Sequence, residues 1–395
     1  MDNSIGKIRI RKKTLLWSFL LICLFPPGYF IRVSIISNLF DVVLVVISIS
    51  IIVISIREKV RLDKFLILIL ILEIYLFFIT VLNEGDLLYS FKQILRVFFV
   101  CYLCSRFIDF DCDCTIKAFC FVFHIYMVIN TLTLFLFPNA MYLNGNGSPV
   151  CWFLGEDNVG FAYYLFGNVT AMMYELKKKK ELSYLSMFSF FLSFHFAFRN
   201  DIGTGKLCCV VISILIILSY LKYFQKVFNI YFCYLFQGLY FVLVILLRIQ
   251  NHMGDIVAEI FNRNVSFSGR TVIWNTTLTY IAESPLWGYG IYGPHRFNHI
   301  LGIKGIYSAH NYYLMLCFWG GIIALLLFLF VAVITDKMNG NHNFDNALIL
   351  SGIFTYMLRL QNESSPYELL FILLMFYAYY NKLFGNKEEH IIIDN

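Results

Sequence analysis

Residues 38–56 read NLFDVVLVVISISIIVISI, with Asp41 the lone charged side chain in an otherwise apolar and hydroxyl-bearing run. A helix needs ~20 mostly apolar residues to cross the hydrocarbon core of a bilayer. This stretch has that length and composition, so it reads as a membrane span. Runs of the same kind recur at 14–31, 65–82, 89–108, 115–137, 159–175, 184–199, 206–221, 227–247, 310–334, 345–360 and 366–383. The expected fold is all-α, a polytopic integral membrane protein with about twelve transmembrane helices. Residues 1–395 then form a single membrane domain.

Composition agrees. Of the 395 residues 59% are hydrophobic and 14% charged, with 42 Phe and 26 Tyr, which excludes an ordinary soluble domain. Lys and Arg cluster in KIRIRKK (7–13), REKVRLDK (57–64) and Lys177–Lys180, and threading the spans alternately puts all three on one side. By the positive-inside rule that side is the cytoplasm, with both termini on it. The N-terminal basic, apolar and Pro26-Pro27 pattern looks like a secretory signal but lacks a small-residue cleavage site, so it reads as an uncleaved first span. The formal charge of +6 reports this topology and contact with anionic lipid headgroups, and no aromatic-interleaved basic stripe points to nucleic acid.

Most of the eleven Cys lie within spans as small apolar residues. Cys112 and Cys114 sit among Asp109, Asp111 and Asp113, but no second ligand pair at zinc-site spacing follows, and no metal is expected. Glu73 and Arg96, both inside spans, are expected to pair across neighbouring helices in a structural role.

Short loops join most spans, so the long ones carry information. One is PNAMYLNGNGSPVCWFLGEDN (138–158), a Gly- and Asn-rich loop bearing Glu156 and Asp157. The other, 248–309, is the large external loop. It holds an amphipathic segment near 255–262 and then a helical stretch from Arg270 to Glu283, capped by Ser268 and stopped by Ser284-Pro285.

Within and beside this loop stand the candidate site residues. Arg270 opens the helical stretch, where backbone N–H groups and a planar guanidinium suit a phosphate. The alternative is an Arg snorkelling to headgroups. His310 stands where the loop meets the next span, beside Asn311, and a neutral imidazole there can take a proton from a sugar hydroxyl. An interfacial His bonded to a loop carbonyl would look the same. Arg199, in HFAFRNDIGTGK (195–206), is a second phosphate-clamp candidate, against snorkelling or pairing with Asp201. Asn311, His295, Arg296 and Asp157 are secondary candidates.

Two patterns are decoys. Gly288 to Gly293 has the Gly-x-Gly-x-x-Gly spacing but follows Ser-Pro rather than a strand, so it is read as a tight turn that brings backbone close to a sugar or phosphate. His295, His299 and His310 lack carboxylate or Cys partners at ligand spacing.

Taken together, SGRTVIW (268–274), ESPLWGYGIYG (283–293) and SAHNYYLMLCFWGGIIALLLFLF (308–330) resemble the signature region of the Wzy-type O-antigen and capsular polysaccharide polymerases, in the O-antigen polymerase/ligase superfamily. Arg199 is a weaker match, preceded by Phe198 where that family usually has Ser. The resemblance implies a metal-independent glycosyltransferase of the bacterial cytoplasmic membrane without cofactor, taking a glycan from undecaprenyl diphosphate on the outer face. It implies that Arg270 and Arg199 hold the diphosphate and that His310 positions or deprotonates the acceptor hydroxyl. A polymerase of O-antigen, capsule or exopolysaccharide repeat units is the leading reading, with a flippase and a chain-length regulator as expected partners. An O-antigen ligase uses the same donor, and a lipid-linked oligosaccharide flippase is the non-enzymatic alternative, disfavoured because the charges of interest lie at the external interface.

Overall fold

The structure, a computed structural model, describes residues 12–143, 150–249, 270–302 and 306–384. The segment near 255–262 and the Ser268 cap fall outside the described residues. The chain runs through α1 (Lys12–Leu24), α2 (Gly28–Ile31), α3 (Ser34–Arg57), α4 (Lys64–Leu82) and α5 (Leu87–Leu136). Next come α6 (Asp157–Lys179), α7 (Tyr184–Arg199), α8 (Gly203–Ser219), α9 (Lys222–Val227) and α10 (Ile230–Tyr240), which continues as a π turn over Phe241–Leu246. The described chain closes with α11 (Arg270–Glu283), α12 (Pro294–Leu301), α13 (Tyr312–Asn339), α14 (Phe344–Leu360), α15 (Glu368–Ala378) and α16 (Tyr380–Phe384). Among the described residues four helices, α3, α4, α5 and α13, are long and apolar enough to cross a membrane; α8, α10 with its π turn, and α15 are shorter apolar helices.

Short polar side chains start many of these helices. Asp63, Asp86, Asn229, Asn311 and Asn343 each accept a bond from a backbone N–H of the first turn of α4, α5, α10, α13 and α14, satisfying donors that no helix can satisfy for itself. The same device acts inside α5, which joins two runs expected as separate spans. At ~1.5 Å per residue a straight helix of that length would reach more than twice the ~30 Å of a hydrocarbon core. It breaks at Asp111, whose backbone leaves the helical region. The Asp111 carboxylate accepts from Cys114 N at 3.0 Å and its carbonyl accepts from Thr115 Oγ1, so the second half restarts on its own cap. Beside it, Lys177 Nζ reaches Cys112 Sγ at 2.9 Å and Asp113 Oδ1 at 2.7 Å.

The core lies in α6, α14 and α15, and every residue of α15 is buried. By contrast α3 buries Ser48 and Ile51 alone and leaves Ile35, Val42, Ile49 and Val53 exposed, the pattern of a helix whose solvent is lipid. Arg96 does not pair with Glu73: its Nε lies 3.1 Å from Glu368 Oε1, while Glu73 is buried on α4 with Oε2 lacking a hydrogen-bond partner. The helix-only expectation misses a small antiparallel sheet in the loop before α6, where Tyr142 faces Cys151 and Trp152 faces Gly155.

The Gly-rich turn departs from its expected role. Helix α13 breaks at Gly320 and Gly321, freeing carbonyls that residues 285–291 take up. Tyr289 N donates to Phe318 O and Gly290 N to Trp319 O, both at 2.8 Å, while Ile322 N donates to Pro285 O. On the other side Ile291 N donates to Thr80 Oγ1 and Asp86 N to Ile291 O, tying the turn to the end of α4. Gly288 has φ +68°, and a Cβ on it would lie 2.6 Å from Phe318 O; one on Gly321 would lie 2.1 Å from Leu286 O. These glycines do let backbone approach closely, but what approaches is the protein's own backbone.

Candidate functional site

Arg270 and His310, far apart in sequence, meet at one carboxylate. Arg270 is the first described residue of α11, and its Nη2 lies 2.5 Å from Glu363 Oε1. His310 precedes the cap of α13, and its Nδ1 lies 3.5 Å from Glu363 Oε2. That second approach is too long for a formed hydrogen bond, and Nδ1 is buried with no hydrogen-bond partner. The Glu363 and Arg270 side chains are 9% and 16% exposed, against 35% for His310, so the pair is withdrawn from water while the imidazole remains reachable.

Glu363 comes from QNESSP (361–366), a polar run between α14 and α15. Each of its first three side chains is buried, the first two held by α10 and the third by α11. Gln361 Nε2 donates to Gln237 O on α10 at 3.1 Å, and Tyr240 OH of the same helix donates to Asn362 Oδ1 at 3.1 Å. Asn311 Nδ2 donates to Gln361 O at 2.8 Å while its Oδ1 caps α13 through Leu314 N. Asn311 thus binds the segment carrying His310 to the segment carrying Glu363, which makes it a brace. His310 itself sits at φ +48°, a left-handed conformation of a kind that costs a non-glycine residue about 1 kcal/mol.

Arg359, one turn before Glu363 on α14, is fully buried. Its Nη2 donates to Asn158 O and Ser365 O, both at 2.7 Å, and its Nε and Nη1 have no hydrogen-bond partner. Burial pushes the Glu363 carboxyl up, but Arg270, His310 and Arg359 outweigh burial and hold it below the ordinary glutamate value. Glu363 is therefore an anion shared among three cationic or titratable groups.

The other expected site residues lie elsewhere. Arg199, exposed at the end of α7, donates to Pro138 O at 3.4 Å, and among the described residues no contact joins it to the Arg270 cluster. Asp201 pairs with Lys206. Asp157 opens α6, where its Oδ1 accepts from Asn158 N. Arg296 is exposed on α12 with its guanidinium 4.9 Å over the Tyr292 ring. His295 and His299 belong to that same helix, and among the described residues no contact joins the exposed His299 to His310.

A sequence profile described as O-Antigen ligase matches residues 188–329. Over these residues the chain carries the domain of the O-antigen polymerase/ligase superfamily. Members of this superfamily are membrane enzymes acting on lipid-linked sugars. The match spans α7 to most of α13 and includes both Arg270 and His310, whereas Arg359 and Glu363 lie beyond it. No curated protein and no solved structure matches the chain. Glu363 and Arg359 escaped sequence reasoning. The available signal was QNESSP itself, a polar run between two apolar helices that is too rich in hydrogen-bonding groups for a simple connection.

Proposed function

We propose that this superfamily member is a polymerase that joins oligosaccharide repeat units carried on undecaprenyl diphosphate at the outer face of the cytoplasmic membrane. The observation that carries this reading is the convergence of Arg270 and His310 on Glu363. With Nδ1–H of the neutral imidazole turned toward Glu363, the lone pair is on Nε2, the nitrogen that carboxylate does not engage. Nε2 takes the proton of the acceptor sugar hydroxyl as its oxygen attacks the anomeric carbon of the donor glycan. The bond from that carbon to the phosphate oxygen breaks, and undecaprenyl diphosphate leaves with the electron pair. Arg270 stabilises the charge that gathers on the leaving diphosphate through its planar fork of donors.

The profile's own description favours a second reading, an O-antigen ligase with the same donor half-site and a lipid A-core acceptor. One assay separates the two. Purified protein in detergent receives undecaprenyl-diphosphate-linked repeat units as both donor and acceptor. A polymerase makes a ladder of longer glycans, and His310→Gln lowers its rate by roughly 100-fold to 10,000-fold, the loss typical of a removed general base. A ligase makes no ladder under either condition and transfers the glycan only when lipid A-core is added. An unchanged glycan under both conditions argues for a flippase and against the enzyme reading.

A further inference from the structure

We propose that Glu363 is a resident stand-in for the donor's diphosphate, and that donor binding moves this carboxylate from Arg270 to His310, completing the base only when the donor is present. The inference rests on the diphosphate reading above and adds an order to it.

Glu363 makes two unequal contacts in the described structure. Oε1 is tightly paired with Arg270, and Oε2 stops 3.5 Å from an imidazole nitrogen that has no hydrogen-bond partner. The carboxylate is thus satisfied on one side only, and His310 lacks the bond that would fix its tautomer. The Arg270 contact runs through Nη2 alone, whereas a phosphate can engage two guanidinium donors and carries more charge. A diphosphate arriving at Arg270 therefore competes well for the guanidinium and repels Glu363.

Only the side chain has to move. Glu363 N stays bonded to Arg359 O at 3.0 Å, and closing the His310 gap to an ordinary ~2.9 Å is a shift of well under 1 Å. The displaced carboxylate remains compensated, because the buried Arg359 beside it has Nε and Nη1 with no hydrogen-bond partner. Once bonded to Nδ1–H, Glu363 orients the ring and leaves Nε2 as the base, so it acts as a positioning residue through His310.

This exchange has a signature that a merely structural carboxylate lacks: binding and turnover change in opposite directions. Glu363→Gln removes the competing anion, so inorganic pyrophosphate titrated into the purified full chain binds roughly tenfold tighter than to wild type, about the size of one partly screened charge contact. The same variant loses its orienting carboxylate, and turnover with lipid-linked repeat units falls by roughly 100-fold or more. Pyrophosphate binding by wild type that Glu363→Gln leaves equal or weakens overturns the exchange, as does an unchanged turnover. Failure of wild type and variant alike to bind pyrophosphate overturns the diphosphate reading, and this inference with it. Should Glu363→Gln not fold, nitrogen-15 histidine spectra of the unsubstituted protein decide the matter, with the His310 signals assigned by their loss in His310→Gln. Pyrophosphate should convert His310 Nδ1 to a hydrogen-bonded N–H, and spectra that do not change on addition refute the exchange.

Discussion

The run from Arg270 to Gly321 divides into two regions with opposite duties. Arg270 and His310 converge on a buried carboxylate, and His310 Nδ1 keeps unspent hydrogen-bonding capacity. The middle of the run, residues 285–291 against Gly320 and Gly321, spends its capacity on backbone bonds to α13 and α4. In sequence both look like one motif. The difference teaches that a Gly-rich signature beside charged residues can be the frame that sets their spacing, with the chemistry at its edges.

The sharpest way to break this comparison is to damage the frame. Gly288→Val puts a branched side chain at φ +68°, with its Cβ 2.6 Å from Phe318 O and 2.7 Å from Gly320 N. Membranes should contain little or no folded protein, read by immunoblot and by size-exclusion in detergent. Normal accumulation of a well-folded variant would remove the framing role. Arg270→Ala should do the reverse, leaving protein in the membrane while polymer disappears, with Arg270→Lys restoring only part because an ammonium cannot make the planar two-pronged contact. Full activity of the Ala variant would take Arg270 out of the site.

A smaller effect is expected at Arg199, which stands apart from the cluster and bonds to Pro138 O. Arg199→Ala should cost less than Arg270→Ala when the two are assayed side by side for chain lengthening. An equal loss would bring Arg199 into the donor site despite its separation. The least dramatic test concerns pH. The folded Glu363 carboxyl is held below its ordinary value, so its stabilisation is complete above about pH 4.3, the unfolded value, and is lost as pH falls through the lower folded one. Wild type should exceed Glu363→Gln in stability by roughly 3 kcal/mol near neutrality, as expected for a broken buried pair. Thermal melts should show that margin steady from neutral pH to about 5 and closing below about 4.3.

Much of this was legible in the sequence. Ser284-Pro285 stopped α11 where the structure does. The pairing of Arg270 with His310 followed from their shared loop, although the carboxylate that unites them did not. Glu363 has no helical or strand period around it, and a glutamate in a polar connection reads the same whether it is solvated or buried against two other segments. The glycines announced a tight backbone but not its partner, because positive φ is a local property and the docking onto Phe318, Trp319 and Thr80 is a tertiary one. Asp111 was similarly hidden: a capping residue between two apolar runs predicts two helices, and only the geometry shows them joined across a bend.

The profile match ends at residue 329, while the carboxylate that Arg270 and His310 share lies at 363. The proposed site is therefore not a portable cassette. A chimera receiving residues 188–329 from a related enzyme would import an arginine and a histidine shaped for another host's anion, and would have to rely on Glu363 and its Gln237, Tyr240 and Asn311 supports to seat them. Grafts cut beyond α15 would carry the whole constellation across, and those cut at the end of the profile would inherit a mismatched one.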